Sequence, residues 1–223
     1  MTQADGRAPR RVTGAAFGLL ALTDAALAAA PPRLGRLRLL TKPLLMPALL
    51  SRSLPVPGDR RLAAAQGFSW GGDLALIGKS RTSFLAGVGL FLAAHLCYLG
   101  AFRARSSVPV LATPGRRRFL ALAGASAGGM ALAAAREDRV LALPVATYSG
   151  ALAAMVATAA AIDPDRGRDQ VLGGAALFLA SDTVLGLRTF LLGEESAASR
   201  ALESVVMATY TAGQWCIGEG MRR

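Results

Sequence analysis

Apolar residues run in blocks of membrane-spanning length along the whole chain, separated by short polar connections rich in arginine. About twenty predominantly apolar residues suffice to cross a hydrocarbon core as a helix. Eight such runs stand out, at about 12–30, 34–51, 60–78, 82–101, 117–135, 139–161, 168–191 and 198–217. They predict an all-α fold, a polytopic membrane bundle of eight transmembrane helices. The second run is the shortest and holds Pro43 and Pro47, which predicts a kinked or partly re-entrant segment. No connection is long enough to fold as a soluble domain. The expected layout is a basic cytoplasmic tail over 1–11, a single transmembrane domain over 12–217 and a short cytoplasmic tail over 218–223. The first run follows Arg7, Arg10 and Arg11, yet it is long for a signal-peptide core and another span follows at once, so it reads as a retained helix.

Composition narrows the class. Of 223 residues, 53% are hydrophobic and 17% charged, and the mean hydropathy is +0.42. Disorder needs low hydrophobicity, and basic nucleic-acid-binding domains are not this apolar. The net charge of +11 therefore belongs to loops facing anionic headgroups, with no nucleic-acid partner expected. Basic residues concentrate at the N-terminus, in the second loop (Arg52, Arg60, Arg61), in the fourth (Arg103, Arg105, Arg116, Arg117, Arg118), in the sixth (Arg166, Arg168) and at Arg222 and Arg223. By the positive-inside rule both termini are expected in the cytoplasm, with the chain multi-pass in the inner (plasma) membrane. Cys97 and Cys216 fall inside spans without a CxxC pair, and His95 is the single histidine. Phosphate-binding glycine loops and a GxSxG elbow are absent from the sequence, so no metal and no cofactor are expected.

Ionisable residues inside the spans carry the chemistry. A charge near the bilayer centre costs at least about 2.5–3.5 kcal/mol, so each is a functional candidate. They are Asp24, Lys42, Asp73, His95, Asp182, Arg188 and Glu203. At about 1.5 Å per residue, Asp24, Lys42, Asp73, Asp182 and Glu203 all fall between mid-membrane and the side opposite the termini, as if around one polar cavity. Helical spacing adds Gln66 and Ser69 to Asp73, and puts Phe84, Gly87, Phe91, His95 and Tyr98 on one stripe. Glu203, Met207, Tyr210 and Gln214 share a face of the last span; Tyr148 lies in the sixth and Ser181 precedes Asp182 in the seventh. Structural roles compete with functional ones. Asp24 is expected to pair with Lys42, Arg188 to snorkel from its span end, and Glu203 to pair with a basic residue near the interface. Tyr148, Tyr210 and Gln214 are expected as interhelical hydrogen bonders that also line the cavity.

Six segments in order resemble one family. They are Lys42-Pro43-Leu44-Leu45-Met46-Pro47; Phe68-Ser69-x-x-Gly72-Asp73-x-x-Leu76; and Phe84-x-x-Gly87-x-x-x-Phe91-x-x-x-His95-x-x-Tyr98. Pro144 to Tyr148 with Met155, Leu177-Phe178-x-x-Ser181-Asp182, and Tyr210-x-x-Gly213-Gln214 complete the set. The chain resembles the lysoplasmalogenase (YhhN-like) family of membrane proteins over about residues 12–217, with Gly213 where alanine is usual.

The resemblance implies an ether hydrolase. Its substrate would be a lysophospholipid with an alkenyl ether chain, split to a fatty aldehyde and a glycerophospho-alcohol. It implies Asp73 and Asp182 as the catalytic pair, with Lys42, Ser69, His95, Tyr98, Tyr148, Ser181, Tyr210 and Gln214 as binding or supporting residues. The chemistry suits two carboxyls: one neutral, to protonate the β-carbon of the vinyl ether, and one ionised, to steady the oxocarbenium ion and activate water, as in glycosidases. Ser69, one turn before Asp73, favours Asp73 as the ionised member and Asp182 as the acid. A transporter or proton-coupled carrier using the same acids is the alternative, against which the sequence shows no inverted repeat. Headgroup, chain length and oligomeric state are not legible in the sequence.

Overall fold

The computed structural model describes residues 7–53, 60–78, 80–191 and 196–223, with side chains described for 14–52, 60–78, 80–190 and 196–223. The side chains of Arg7, Arg10 and Arg11, used above for orientation, lie outside the described side chains. Among the described residues the regular structure is entirely helical: α1 (Arg7–Ala29), α2 (Pro32–Gly35), α3 (Arg38–Ser53), α4 (Arg60–Ala75), α5 (Arg81–Arg103), α6 (Pro114–Glu137), α7 (Ala142–Ala159), α8 (Arg168–Leu191) and α9 (Ala197–Gly220). Each of the eight apolar runs holds one long helix, and α2 is a single turn linking α1 to α3.

Local chemistry sets the helix ends. Ser80, Thr113 and Ser196 cap α5, α6 and α9 by accepting the backbone N–H three residues on, and Pro114 occupies the first turn of α6. Gly167 turns the chain into α8 with φ +80°. A Cβ there would meet the Gly220 carbonyl oxygen at 2.2 Å, so only glycine fits.

The second run forms α3, one continuous helix through Pro43 and Pro47. Pro47 has no N–H to give the Pro43 carbonyl four residues back. The Trp70 indole N–H of α4 fills that place, donating to Pro43 O at 2.9 Å. A neighbouring helix thus satisfies the backbone group the proline freed.

Among the described residues, four segments are long and apolar enough to cross a membrane: Arg81–Arg103, Pro114–Glu137, Arg139–Ala159 and Arg168–Phe190. They correspond to α5, α6, α7 with its lead-in turn, and α8. α3 and α4 have 16 residues each, about 24 Å of helix against a core of about 30 Å. The described apolar part of α1, Gly14–Ala29, is likewise short. α9 is long but carries Arg200, Glu203 and Glu219.

Neighbour relations close a ring: α1 packs on α3, α3 on α4, α4 on α5, α5 on α7, α7 on α8, α8 on α9, and α9 on α1. Of these neighbours α7 and α8 meet most sparsely. α6 stands outside the ring, packed along α7 and lightly on α8, and buries only Ala127 and Ala134. The tightest seam is α8 on α9. A Cβ on Gly174 would lie 2.7 Å from Gly213 O, so the two backbones are in direct contact there. Leu45, Leu49, Phe102, Met155, Phe178 and Ile217 are fully buried in the core.

Candidate active site: a charged chamber beside an apolar cleft

The ring encloses a chamber of about 370 Å³. Its floor is acidic and its rim basic. α4 supplies Asp73, which is 3% exposed and accepts a hydrogen bond from Tyr210 Oη of α9 at 2.8 Å. Lys42 Nζ of α3 stands 3.8 Å from the other carboxylate oxygen of Asp73. α8 supplies Asp182, whose Oδ2 accepts from the Tyr148 hydroxyl of α7. His95 Nε2 of α5 lies 3.8 Å from the same oxygen, beyond hydrogen-bond reach. His95 is fully buried, edge-on to Phe178 at 5.0 Å and tilted over Tyr148 at 5.0 Å. Phe91 and Phe178 wedge against the Tyr210 ring at 6.0 and 5.3 Å, holding its hydroxyl toward Asp73.

The rim is a chain of ion pairs. Arg38, one turn before Lys42 on the same face of α3, reaches Asp24 Oδ2 at 3.3 Å and Glu203 Oε1 at 2.9 Å. Arg188 of α8 takes the other Glu203 oxygen at 3.0 Å. Asp24 is wholly buried and also accepts from Thr41 Oγ1 at 2.6 Å. Arg200 joins Arg38, Lys42 and Arg188 in the chamber wall.

The sequence expectations sort cleanly against this geometry. Lys42, Asp73, Tyr148, Ser181, Asp182 and Tyr210 all line the chamber, and His95 backs it. Ser181 also donates to Val206 O at 3.1 Å. Ser69, Tyr98 and Gln214 form a buried cluster one layer behind. Tyr98 donates to Gln214 Oε1 at 2.5 Å, and Gln214 Nε2 donates to Ser69 Oγ at 3.0 Å. Three assignments change. Asp24 pairs with Arg38 and not with Lys42, whose partner is Asp73. Ser69 serves Gln214 and does not bond Asp73. Arg188 points inward to Glu203 where it was expected to snorkel. Arg38 and Arg200 are absent from the sequence candidates; the spacing of Arg38 to Lys42 was the available signal. Glu203 does pair with basic residues, as expected.

Beside the chamber runs an apolar cleft of about 340 Å³ between α5, α6, α7 and α8. The two share Leu76, Phe84, Phe91, Tyr148, Asp182 and Leu185 in their walls. Both volumes fall at the low end of the range for small-molecule sites. The arrangement can hold an anionic head among the guanidinium groups and hydrocarbon in the cleft, with a carboxyl where the two meet.

Fold and site together define a helical membrane protein with an acid-floored chamber opening onto a hydrocarbon-lined cleft. The chain belongs to the YhhN family, whose model matches residues 37–221. Over 122 residues it is 37% identical to proteins named lysoplasmalogenase from Mycobacterium bovis and from Mycobacterium tuberculosis. Each match covers 52% of this chain and 44% of the relative, so the matched stretch spans less than half the length of these relatives. No solved structure matches the chain.

Proposed function

We propose that the protein hydrolyses the vinyl ether bond of a lysoplasmalogen, releasing a fatty aldehyde and a glycerophospho-alcohol. The observation that carries this reading is that Asp73 and Asp182, from different helices, border one charged chamber, and that Asp182 also lines the apolar cleft beside it. The names of the mycobacterial relatives support the same substrate.

The proton cycle closes on two carboxyls. In this cycle Asp182, whose Oδ2 accepts from Tyr148, acts first as the acid. It protonates the β-carbon and leaves an oxocarbenium ion. Asp73, ionised opposite Lys42, takes a proton from water as that water adds to the α-carbon. The resulting hemiacetal collapses when Asp73 returns this proton to the departing glycerol oxygen and Asp182 takes the hydroxyl proton. Both acids end as they began and one water is consumed. Tyr210 and Tyr148 hold the carboxyls in place, while Arg38, Arg188 and Arg200 bind the phosphate as charge-assisted donors.

The test is aldehyde release by purified protein in detergent, with an ester lysophospholipid as control. Asp73→Asn and Asp182→Asn should each lower the rate at least about 100-fold, the usual weight of positioned acid–base groups, without loss of folding. No aldehyde from folded wild type would sink the reading, and solute flux in liposomes would then replace it with a carrier. The same proposal takes α1 and α3 to α9 as eight spans of the inner membrane with both termini cytoplasmic. Reporter fusions at the two termini check that orientation.

A further inference from the structure

The apolar cleft has a floor and a side opening, both on α6. Phe119, Ala123, Ala127 and Met130 face it along that helix, and the small pair Ala123 and Ala127 lies opposite Ala153 of α7. Leu122, at the cleft edge, is 72% exposed, so the cleft opens sideways out of the bundle. The level of the acid follows from one contact. A Cβ on Gly186 would meet Met130 Sδ and Cε at 3.0 Å, so Gly186 and Met130 are level. α6 and α8 each run antiparallel to α7 and hence parallel to each other. Asp182, one turn before Gly186, is therefore level with Ser126, and Phe119 lies about 10 Å below it along the helix axis. The basic residues lie the other way, toward Arg188.

We propose that this stretch is a slot for one hydrocarbon chain of a phosphate-headed amphiphile, and that Phe119 is the floor that fixes how much straight chain it holds. The proposal rests on the hydrolase reading for its substrate class but not for its test. Continuity with the cationic chamber commits the occupant. A head bound by Arg38 and Arg188 sends its chain past Asp182 toward Phe119. The width set by Ala123, Ala127 and Ala153, and a volume of about 340 Å³, suit one chain and not two. Carbons beyond the floor leave through the opening at Leu122 and gain nothing further from the protein.

The experiment measures binding of saturated alkyl-ether lysophospholipids of increasing chain length, which no vinyl ether hydrolase can cleave. Affinity should rise about fourfold per methylene while each added carbon is buried, then reach a plateau. Ala123→Phe, which raises the floor by one turn, should bring the plateau at shorter chains. Phe119→Ala should delay it to longer ones. A plateau at the same length in all three proteins, or an affinity that climbs without one, overturns the proposal. Failure of aldehyde release alone would remove the hydrolase reading and leave the slot standing.

Discussion

Glu203 is the keystone of the chamber rim, and its replacement by glutamine tests how the charges are balanced. Its two carboxylate oxygens serve Arg38 at 2.9 Å and Arg188 at 3.0 Å. In Glu203→Gln, Arg38 keeps Asp24, while Arg188 keeps the weaker Ser199 contact at 3.3 Å. Breaking a fully buried pair from one side costs about 3–5 kcal/mol, and breaking an exposed one costs about 0–1 kcal/mol. The three side chains are 15–19% exposed, nearer the buried limit, so the loss should be about 2–3 kcal/mol. For a chain of this length that is a fall in Tm of about 5–10 °C. The assay is thermal unfolding in detergent, repeated with a saturated alkyl lysophosphoethanolamine and with a neutral monoalkylglycerol. The variant has an excess cation at the rim, so the phosphate-headed lipid should raise its Tm more than it raises that of wild type, and the neutral lipid should not. An unchanged Tm would refute the electrostatic reasoning. An equal response to the two lipids would refute the rim as an anion site.

The other predictions concern the scaffold. Trp70→Phe strands the Pro43 carbonyl and should cost about 1–3 kcal/mol; adding Pro47→Ala restores an N–H for that carbonyl, so the double variant should recover part of the loss in a thermal double-mutant cycle. Gly167→Ala forces a positive φ on an L-residue and drives its Cβ into Gly220 O. It should destabilise by more than about 1 kcal/mol, read from denaturant midpoints. In the loop between α7 and α8, hydrogen bonds from the Ser107 hydroxyl and then its backbone N–H hold the Asp163 carboxyl below its usual range. A carboxyl lowered on folding stabilises above its unfolded value, about 3.9, and loses that contribution as pH falls through the folded value. Asp163→Asn should therefore flatten the acid side of the stability profile and leave the slope above neutral pH unchanged.

Much of this was legible along the chain because a bilayer punishes ambiguity. Each apolar run became one helix, and the shared depth of Lys42, Asp73, Asp182 and Glu203 became a shared chamber. What depth could not supply was rotation about each helix. Lys42 and Arg38 both face inward, one turn apart, so Arg38 intercepts Asp24 and leaves Lys42 to Asp73. Arg188 lies near the end of its run, where the long side chain has two places to go; Glu203 decides between them, and Glu203 is on another helix. How α3 accommodates its prolines was hidden for the same reason, since the donor that serves the Pro43 carbonyl, Trp70, arrives from α4. Contacts across 165 positions, such as Arg38 with Glu203, leave no trace in local pattern.

Four of the site's charges lie on consecutive helices of the ring. Asp24, Lys42, Asp73 and Glu203 reside on α1, α3, α4 and α9, of which α3 and α4 are short and α9 carries further charges. A membrane tolerates such residues where they face one another, and every one of these four has an opposite charge within 4 Å. The short helices also explain the mouth. α3 begins at Arg38 and α4 ends at Ala75, so both stop at the same end of the bundle, and Arg38, Ile77, Gly78 and Ser80 line the chamber there. Each falls about 6 Å short of the hydrocarbon thickness. The long apolar helices α5 to α8 wall the cleft that runs toward Phe119. On the reading proposed above, helix length and helix polarity are thus two aspects of one construction, in which short charged helices would lie over the head of the amphiphile and long apolar ones along its chain.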